Sequence, residues 1–282
     1  MNANVAQTVP RPPASYELTT PPEGGRSSYV RGQNFCVGHT WIDAGESLTE
    51  PDLPDEHIVL VPEATEITVG VPGRAEVRVT GPALVIVPAV PSRIVARGAA
   101  TLTRVFTTRA PDVVARAGNT ALYEDPDPSV VPLPERPPVP GPGTVRVHRA
   151  DDVPVDPDRF GRIFRTDSLM VNWFAPEYGE RDTDKLSPHV HYDFEQASVT
   201  LRGDYIHHLR SPWTPRLREW RDDQHLRCAS PSVTVIPPGI VHTSRAVGGE
   251  VHELVDVFAP PRADFADRGW VVNAADYAGS GT

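Results

Sequence analysis

The chain has 282 residues, enough for one large domain or two ordinary ones, and 39% of them are hydrophobic, enough to build a core. Its net charge of -10 and the absence of a Lys/Arg-rich tract exclude a nucleic-acid backbone as partner, because that needs phosphate neutralisation. No apolar run approaches the roughly 20 residues of a membrane helix, and Met1 to Pro13 lacks a charged-then-apolar secretion pattern; a cytoplasmic protein without a membrane partner is expected.

Residues 1–26 are polar and Pro-rich (Pro10, Pro12, Pro13, Pro21, Pro22) and cannot build a core of their own. They read as an arm, either without fixed structure or laid as an extended strand along a barrel or a partner subunit. Residues 27–110 read as β. Phe35 to Ile42, His57 to Val61, Glu66 to Val69, Ala75 to Val79, Ala83 to Val87 and Thr101 to Phe106 are short runs separated by Gly, Pro and Ser. Such spacing predicts a sandwich or barrel. Residues 111–143 carry Pro126, Pro128 and the run Leu133 to Gly143, which read as an extended, semi-rigid linker.

Residues 144–282 return to β: Ser168 to Phe174, Tyr205 to Leu209, Ser232 to Ile236 and Val251 to Phe258. An insert, Ser211 to Ser230, interrupts them, with Pro215 to Asp223 predicted helical. The tail from Phe265 to Tyr277 has Trp270, Val271 and Val272 to bury against the outside. The two cysteines, Cys36 and Cys228, are far apart and form no CxxC pair; free thiols are expected, one disulfide being the alternative. The halves repeat a pattern. Phe35 to Trp41, Glu56 to Val61, Leu84 to Pro88 and Leu102 to Phe106 correspond to Leu169 to Phe174, Glu195 to Leu201, Val233 to Pro237 and Leu254 to Phe258.

The chemistry-bearing stretch is Ser187 to Glu195, answered by Pro237 to His242. Side chains alternate faces along a strand. His189, His191 and Glu195 share parity, so they project from one face if 192–194 stay extended. Asp193 shares that parity and is an alternative to Glu195. Pro237-Pro238-Gly239 suits a strand end and a tight bend that brings in His242. Three imidazoles and a carboxylate suit one divalent transition metal, Fe(II), Mn(II), Ni(II), Co(II), Cu(II) or Zn(II), of which Fe(II) is the one expected with the oxygenase function given below.

His189-x-His191-x3-Glu195 with Gly203, then Pro237-x-Gly239-x2-His242, resembles the two signature motifs of the cupin superfamily. The whole chain resembles a bicupin. That resemblance implies an all-β fold of two tandem jelly-roll β-barrels, at 27–110 and 144–260, with a metal on His189, His191, Glu195 and His242, and a homodimer formed through sheet edges. Gly203 lies eight residues after Glu195 where the family spacing is seven, a difference a one-residue bulge absorbs. Arg245 stands near the place of a frequent Asn. In the first half Glu50, Asp52 and Ser92 stand where histidines are expected, which implies a degenerate barrel without metal.

His207 and His208 face opposite ways on a strand, so one is a candidate acid/base in the lumen and the other points out. Tyr192, Tyr205, Trp213 and Trp220 are candidate walls for a small-molecule substrate, weighed against ordinary packing. Arg202, Arg210 and Arg245 are candidate carboxylate clamps, weighed against solvated surface. Among His252, Glu253 and Asp256 one residue is a candidate hydrogen-bond partner for a ligand. The expected function is a metal-dependent oxygenase, most simply a dioxygenase, acting on a phenolic, enolic or carboxylate compound. The alternatives are an isomerase, lyase or decarboxylase using the metal as Lewis acid, and a non-catalytic binding barrel.

Overall fold

Two large antiparallel sheets are built from the repeated pattern. The first runs Arg146–Arg149, Ala83–Val87, His57–Val61, Ala100–Thr107, Phe35–Ile42, Ser27–Arg31. The second runs Ala14–Glu17, Ser232–Ile236, Gln196–Arg202, Val251–Phe258, Met170–Trp173, Arg162–Arg165, with Glu177–Tyr178 also on Val251–Phe258. The corresponding strands of the two halves occupy the same places. A four-stranded sheet (Ser47–Glu50, Ser92–Ala96, Glu66–Gly70, Val77–Thr80) closes the first barrel, and a three-stranded sheet (Gln224–Ala229, Asp204–Arg210, Val241–Val247) closes the second. This computed structural model describes residues 8–20, 26–135, 143–156, 159 and 161–277. Among them no helix is long and apolar enough to cross a membrane.

Period-two alternation decides what each sheet face does. Ile58, Leu60, Leu84 and Ile86 on one side, and Ala197, Val199, Val233, Val235, Val255 and Val257 on the other, form one buried cluster. The two large sheets therefore pack against each other through it. The opposite face of the first sheet is also apolar: Val59, Val61, Val85, Val87 and Leu102 join Ile67, Val69, Val79 and Ile94 of the closing sheet and fill that barrel. The opposite face of the second sheet is polar, with Gln196, Ser198, Thr200, Thr234 and Asp256 all buried. One barrel is packed solid and the other keeps a polar interior.

The halves exchange edge strands, which redraws the expected boundaries. Ala14–Glu17 of the N-terminal arm pairs with Ser232–Ile236 of the second barrel. Arg146–Arg149, placed by sequence in the second barrel, pairs with Ala83–Val87 of the first. Each large sheet would otherwise end on unpaired N–H and C=O groups, and the exchanged strand covers them. The segment after residue 110 is no extended spacer where it is described. Pro111–Val114 is a helical turn and Thr120–Tyr123 a 3-10 turn. Val113, Ala117 and Tyr123 are buried, and Asn119 bonds both backbone groups of Arg31. Residues 136–142 of the expected linker lie outside the described residues.

In the insert only Leu217–Glu219 forms a 3-10 turn, not the expected helix over 215–223. The local structure is a loop in which Trp220 Nε1 donates to Thr214 O and the Trp213 and Trp220 rings stack at 4.2 Å. The tail packs outside the second barrel, with Val271 buried beside Trp270 and Phe265, while Val272, also expected to be buried, is exposed. Cys36 and Cys228 are buried and unpaired.

Gly203 turns the chain between Gln196–Arg202 and Asp204–Arg210 at φ +75°, a conformation in which a side chain is strained. A Cβ there would lie 2.5 Å from His252 Cδ2 and 2.9 Å from Val251 O. Gly203→Ala is therefore expected to destabilise the fold by about 2–4 kcal/mol, the left-handed penalty plus overpacking. Chemical denaturation with an unchanged m-value is the check; a midpoint equal to that of the wild type would contradict the turn geometry.

Candidate metal centre

His189 and His242 form a two-residue bridge at the mouth of the second barrel. His189 N donates to His242 O at 3.0 Å, and His242 N to His189 O at 2.8 Å. Gly239, at φ +84°, makes the turn before His242 and sends its N–H to His191 O at 2.6 Å. These backbone bonds converge three imidazoles from two distant stretches. One nitrogen of each lies within 4.8 Å of the others.

The rings are set for ligation. His189 Nδ1 donates to Ser187 O and His242 Nδ1 to Ile240 O, both at 2.9 Å, leaving each Nε2 lone pair free. His242 Nε2 is buried with no hydrogen-bond partner among the described residues, a costly state unless an ion takes it. Burial pushes His191 down to about 3, helped by His242 and His189, and His242 down to about 4, helped by His189, so both are neutral donors near pH 7.

The fourth place is not held by Glu195. Residues 192–195 are not strand: the chain bends at Tyr192 and Asp193, and Phe194 is buried between His191 and Phe258, with ring centroids at 4.3 and 5.2 Å. The parity argument needed an extended segment there, so the face changes. Glu195 turns away and is held by Gln33 N at 2.5 Å and Arg11 Nη1 at 3.2 Å. Asp193, the alternative, is exposed and outside the cluster. Gln196 faces the histidines instead, with His191 Nε2 donating to its Oε1 at 3.1 Å. Two ligands about 2.1 Å from one ion at right angles lie about 3.0 Å apart, so these atoms fit adjacent corners of one coordination shell. The register does shift by one residue between Thr200 and Arg202, but at the far end of the strand from Glu195. The signal for Gln196 was in the sequence: it stands seven residues before Gly203, at the family spacing.

The donor set thus fits a divalent ion through three imidazoles and one amide oxygen, all uncharged. A substitution pair tests it. Gln196→Glu is expected to raise affinity for Mn(II) or Fe(II) about tenfold or more by adding a charged ligand, whereas Glu195→Gln leaves metal affinity unchanged and costs about 1–3 kcal/mol through Arg11. Loss of metal on Glu195→Gln, measured by metal analysis after dialysis, would restore Glu195 as a ligand.

A cavity of about 560 Å³ opens beside the cluster, lined by His189, His242, Gln196 and Asp256 at one end and by Ile163, Phe174, Leu254, Phe265 and Trp270 elsewhere. Tyr205, buried, lines it. The other expected pocket residues do not. Tyr192 and Trp213 are exposed, Arg202 pairs with Glu253 on the surface, and Arg245 lies on the outer face of the three-stranded sheet, where it pairs in register with Ile206. His207 is the inward member of its pair, buried and bonded through Nδ1 to Ser244 Oγ at 2.8 Å. His208 points out to His225. Of the last-strand candidates, Asp256 reaches the site: its Oδ1 accepts from Ser198 Oγ at 2.6 Å, and Ser198 Oγ accepts from Gln196 Nε2 at 3.1 Å. His252 instead donates to Val247 O, and Glu253 pairs with Arg202.

The first barrel has the corresponding place filled. Glu50 faces Ser92 in register as His189 faces His242. Arg104, in the register position of Asp256, forms a buried ion pair with Glu50 and donates to Tyr29 Oη at 2.7 Å and Thr40 Oγ1 at 3.0 Å. A guanidinium, always charged, occupies the ground a metal would need.

No family model and no curated protein matches the sequence. Solved structures match by shape. The oxalate decarboxylase of Lactobacillus farciminis, as a formate complex, superposes with a TM-score of 0.55 at 12% identity, over 82% of this chain and 78% of that one. AerE from Microcystis aeruginosa gives 0.55 at 10%, over 90% and 99%. An IolB-like protein from Salmonella typhimurium gives 0.53 at 13%, over 92% and 94%. Two tandem jelly-roll barrels of matching sheet order, sharing their build with cupin-fold structures, make this chain a bicupin in fold.

Proposed function

We propose that the second barrel is a metal-dependent oxygenase, a dioxygenase using Fe(II), that acts on a phenolic or enolic compound. The observation that carries this reading is the union of three histidines and Gln196 with a cavity whose walls are largely apolar. Uncharged ligands would leave the ion's double charge uncompensated, and Fe(II) bound by these residues would supply the activation of O2 and of a substrate oxygen. The polar atoms lining the cavity favour a neutral, hydroxyl-bearing substrate over a carboxylate. Asn172 Oδ1 and Glu177 Oε2 are buried acceptors with no partner among the described residues. The lining cations are engaged: Arg159 by Asp156, and Arg181 by Ser244 O, Lys185 O and Ser187 Oγ.

Asp256 is the group that takes the substrate's hydroxyl proton. Burial pushes its carboxyl up to about 6, against the lowering by the Ser198 hydroxyl; that lies near the working pH, where a general base is most effective. Asp256→Asn is isosteric, so it is expected to keep metal content and to lower kcat by about 100-fold or more. An unchanged kcat would remove Asp256 from the reaction.

The same carboxylate supports a second reading, a Lewis-acid isomerase, lyase or decarboxylase in which Asp256 moves a proton between carbons. The two separate cleanly. Protein loaded with Fe(II) anaerobically is given 4-methylcatechol or a cyclic 1,3-diketone, then oxygen. Oxygen uptake dependent on both metal and substrate supports the dioxygenase. Turnover without oxygen transfers the assignment to the second reading.

A further inference from the structure

We propose that His208 and His225 form a second divalent-metal site, a two-imidazole chelate for Zn(II), Ni(II) or Cu(II) on the outer face of the three-stranded sheet. The two residues are direct register partners on Asp204–Arg210 and Gln224–Ala229, so their side chains leave the same face side by side. Their Nδ1 atoms lie 2.8 Å apart, with ring centroids at 4.8 Å and planes at 68°. Two nitrogens about 2.0 Å from one ion at right angles are separated by about 2.8 Å. Without an ion one nitrogen must carry a hydrogen shared with the other. With an ion both lone pairs are used, and each Nε2–H points to water, to which both rings are accessible. Ion binding therefore needs only that each ring place its hydrogen on Nε2, which the surface permits at little cost.

Further observations point to an ion rather than to a bare histidine pair. A second, smaller cavity of about 200 Å³ is bounded by His208, His225, Arg210, Asp223 and Thr243 and also borders His242 of the triad, with room for an ion and its waters. Thr243 continues the row, being the register partner of His208 on the other side. Its Oγ1 is buried with no partner among the described residues, and the residue borders both this cavity and the larger one. Arg210 does not compete, because Asp223 takes it in a two-pronged pair at 2.9 and 2.6 Å.

This site is distinct from the histidine triad. Along Asp204–Arg210 burial alternates, with His207 and Leu209 inward and His208 outward. His242 likewise points in while Thr243 shares the outer face with His208. The ion would sit two residue positions in from the Arg210–Asp223 clamp, at the base of the 211–223 loop. It would tie the two strands from which that insert, with its stacked Trp213 and Trp220, is hung. Arg221 of the same insert donates to Pro10 O, so the staple reaches the N-terminal arm.

The test separates the two sites in the full chain. In His189→Ala/His242→Ala protein, titration with Cu(II) or Ni(II) is expected to leave one bound equivalent, and Cu(II) electron paramagnetic resonance to show two nitrogen ligands. Adding His225→Ala is expected to remove that equivalent and to weaken binding at least tenfold. In the otherwise wild-type chain His225→Ala removes one equivalent and leaves the triad's metal in place. His225 is on the surface, so its variant is expected to fold, and thermal unfolding with and without metal checks this. Retention of the ion after His225→Ala, or no binding in the His189→Ala/His242→Ala protein while its fold is intact, would overturn the proposal. Neither result touches the reading of the second barrel's cavity.

Discussion

His242→Ala is expected to abolish metal retention, lowering affinity more than the roughly 100-fold seen when only an outer hydrogen-bond partner of a ligand is removed. Dialysis followed by metal analysis reads this directly. The physical reason is that Nε2 of His242 is one of three converging nitrogens and is buried without a partner. Metal-free wild type bears the cost of that orphan atom, so the metal-free variant is expected to lie within about 1 kcal/mol of it, the lost Nδ1 bond to Ile240 O offsetting the relief. The difference emerges when metal is added. Wild type gains about 2.7 kcal/mol at 100 times the dissociation constant, and the variant gains nothing through this site. If metal stabilised the variant as much as the wild type in unfolding experiments on a His225→Ala background, the triad would not be the principal site.

Arg104→Ala is expected to be the most destabilising single change in the first barrel, by about 3–5 kcal/mol, because it strands the Glu50 carboxylate in a buried setting. It also removes a donor from Tyr29 Oη and Thr40 Oγ1. The expected magnitude rests on the partner left behind, not on the attraction of the pair. Replacing both residues with apolar ones of similar size, Arg104→Met with Glu50→Leu, is therefore expected to recover most of the loss. Equilibrium denaturation of the single and double variants measures both numbers. Metal content is expected to stay at the wild-type level, since the pair lies in the other barrel. A loss below about 1 kcal/mol for Arg104→Ala would mean that Glu50 finds water.

Much of this protein follows from its sequence alone. The strands follow from period-two apolar runs between Gly and Pro, because a strand's faces are set locally. The halves could be matched because Leu84 to Pro88 and Val233 to Pro237, or Leu102 to Phe106 and Leu254 to Phe258, keep the same spacing and pattern. His189, His191 and His242 were legible because two residues apart on a strand means one face, and Pro-Pro-Gly marks the bend that returns the third. Substitution of Glu50 and Ser92 for histidines announced that the first barrel lacks these ligands.

Only the tertiary structure decided the rest. The change from Glu195 to Gln196 comes from packing: Phe194 is drawn between His191 and Phe258, which bends the chain and reverses the parity after it. The exchange of Ala14–Glu17 and Arg146–Arg149 between sheets is a matter of which open edge lies nearest, and no local pattern records that. Asp256 became part of the cavity, and Arg104 its counterpart in the solid barrel, through strand register set by pairing far along the chain. His225 carried no sequence signal at all, since its partnership with His208 exists only across a hairpin whose insert spans 211–223. Local chemistry chose the ligand types and the strand faces. Long-range packing chose which of two neighbouring residues, one charged and one neutral, turns toward the three histidines.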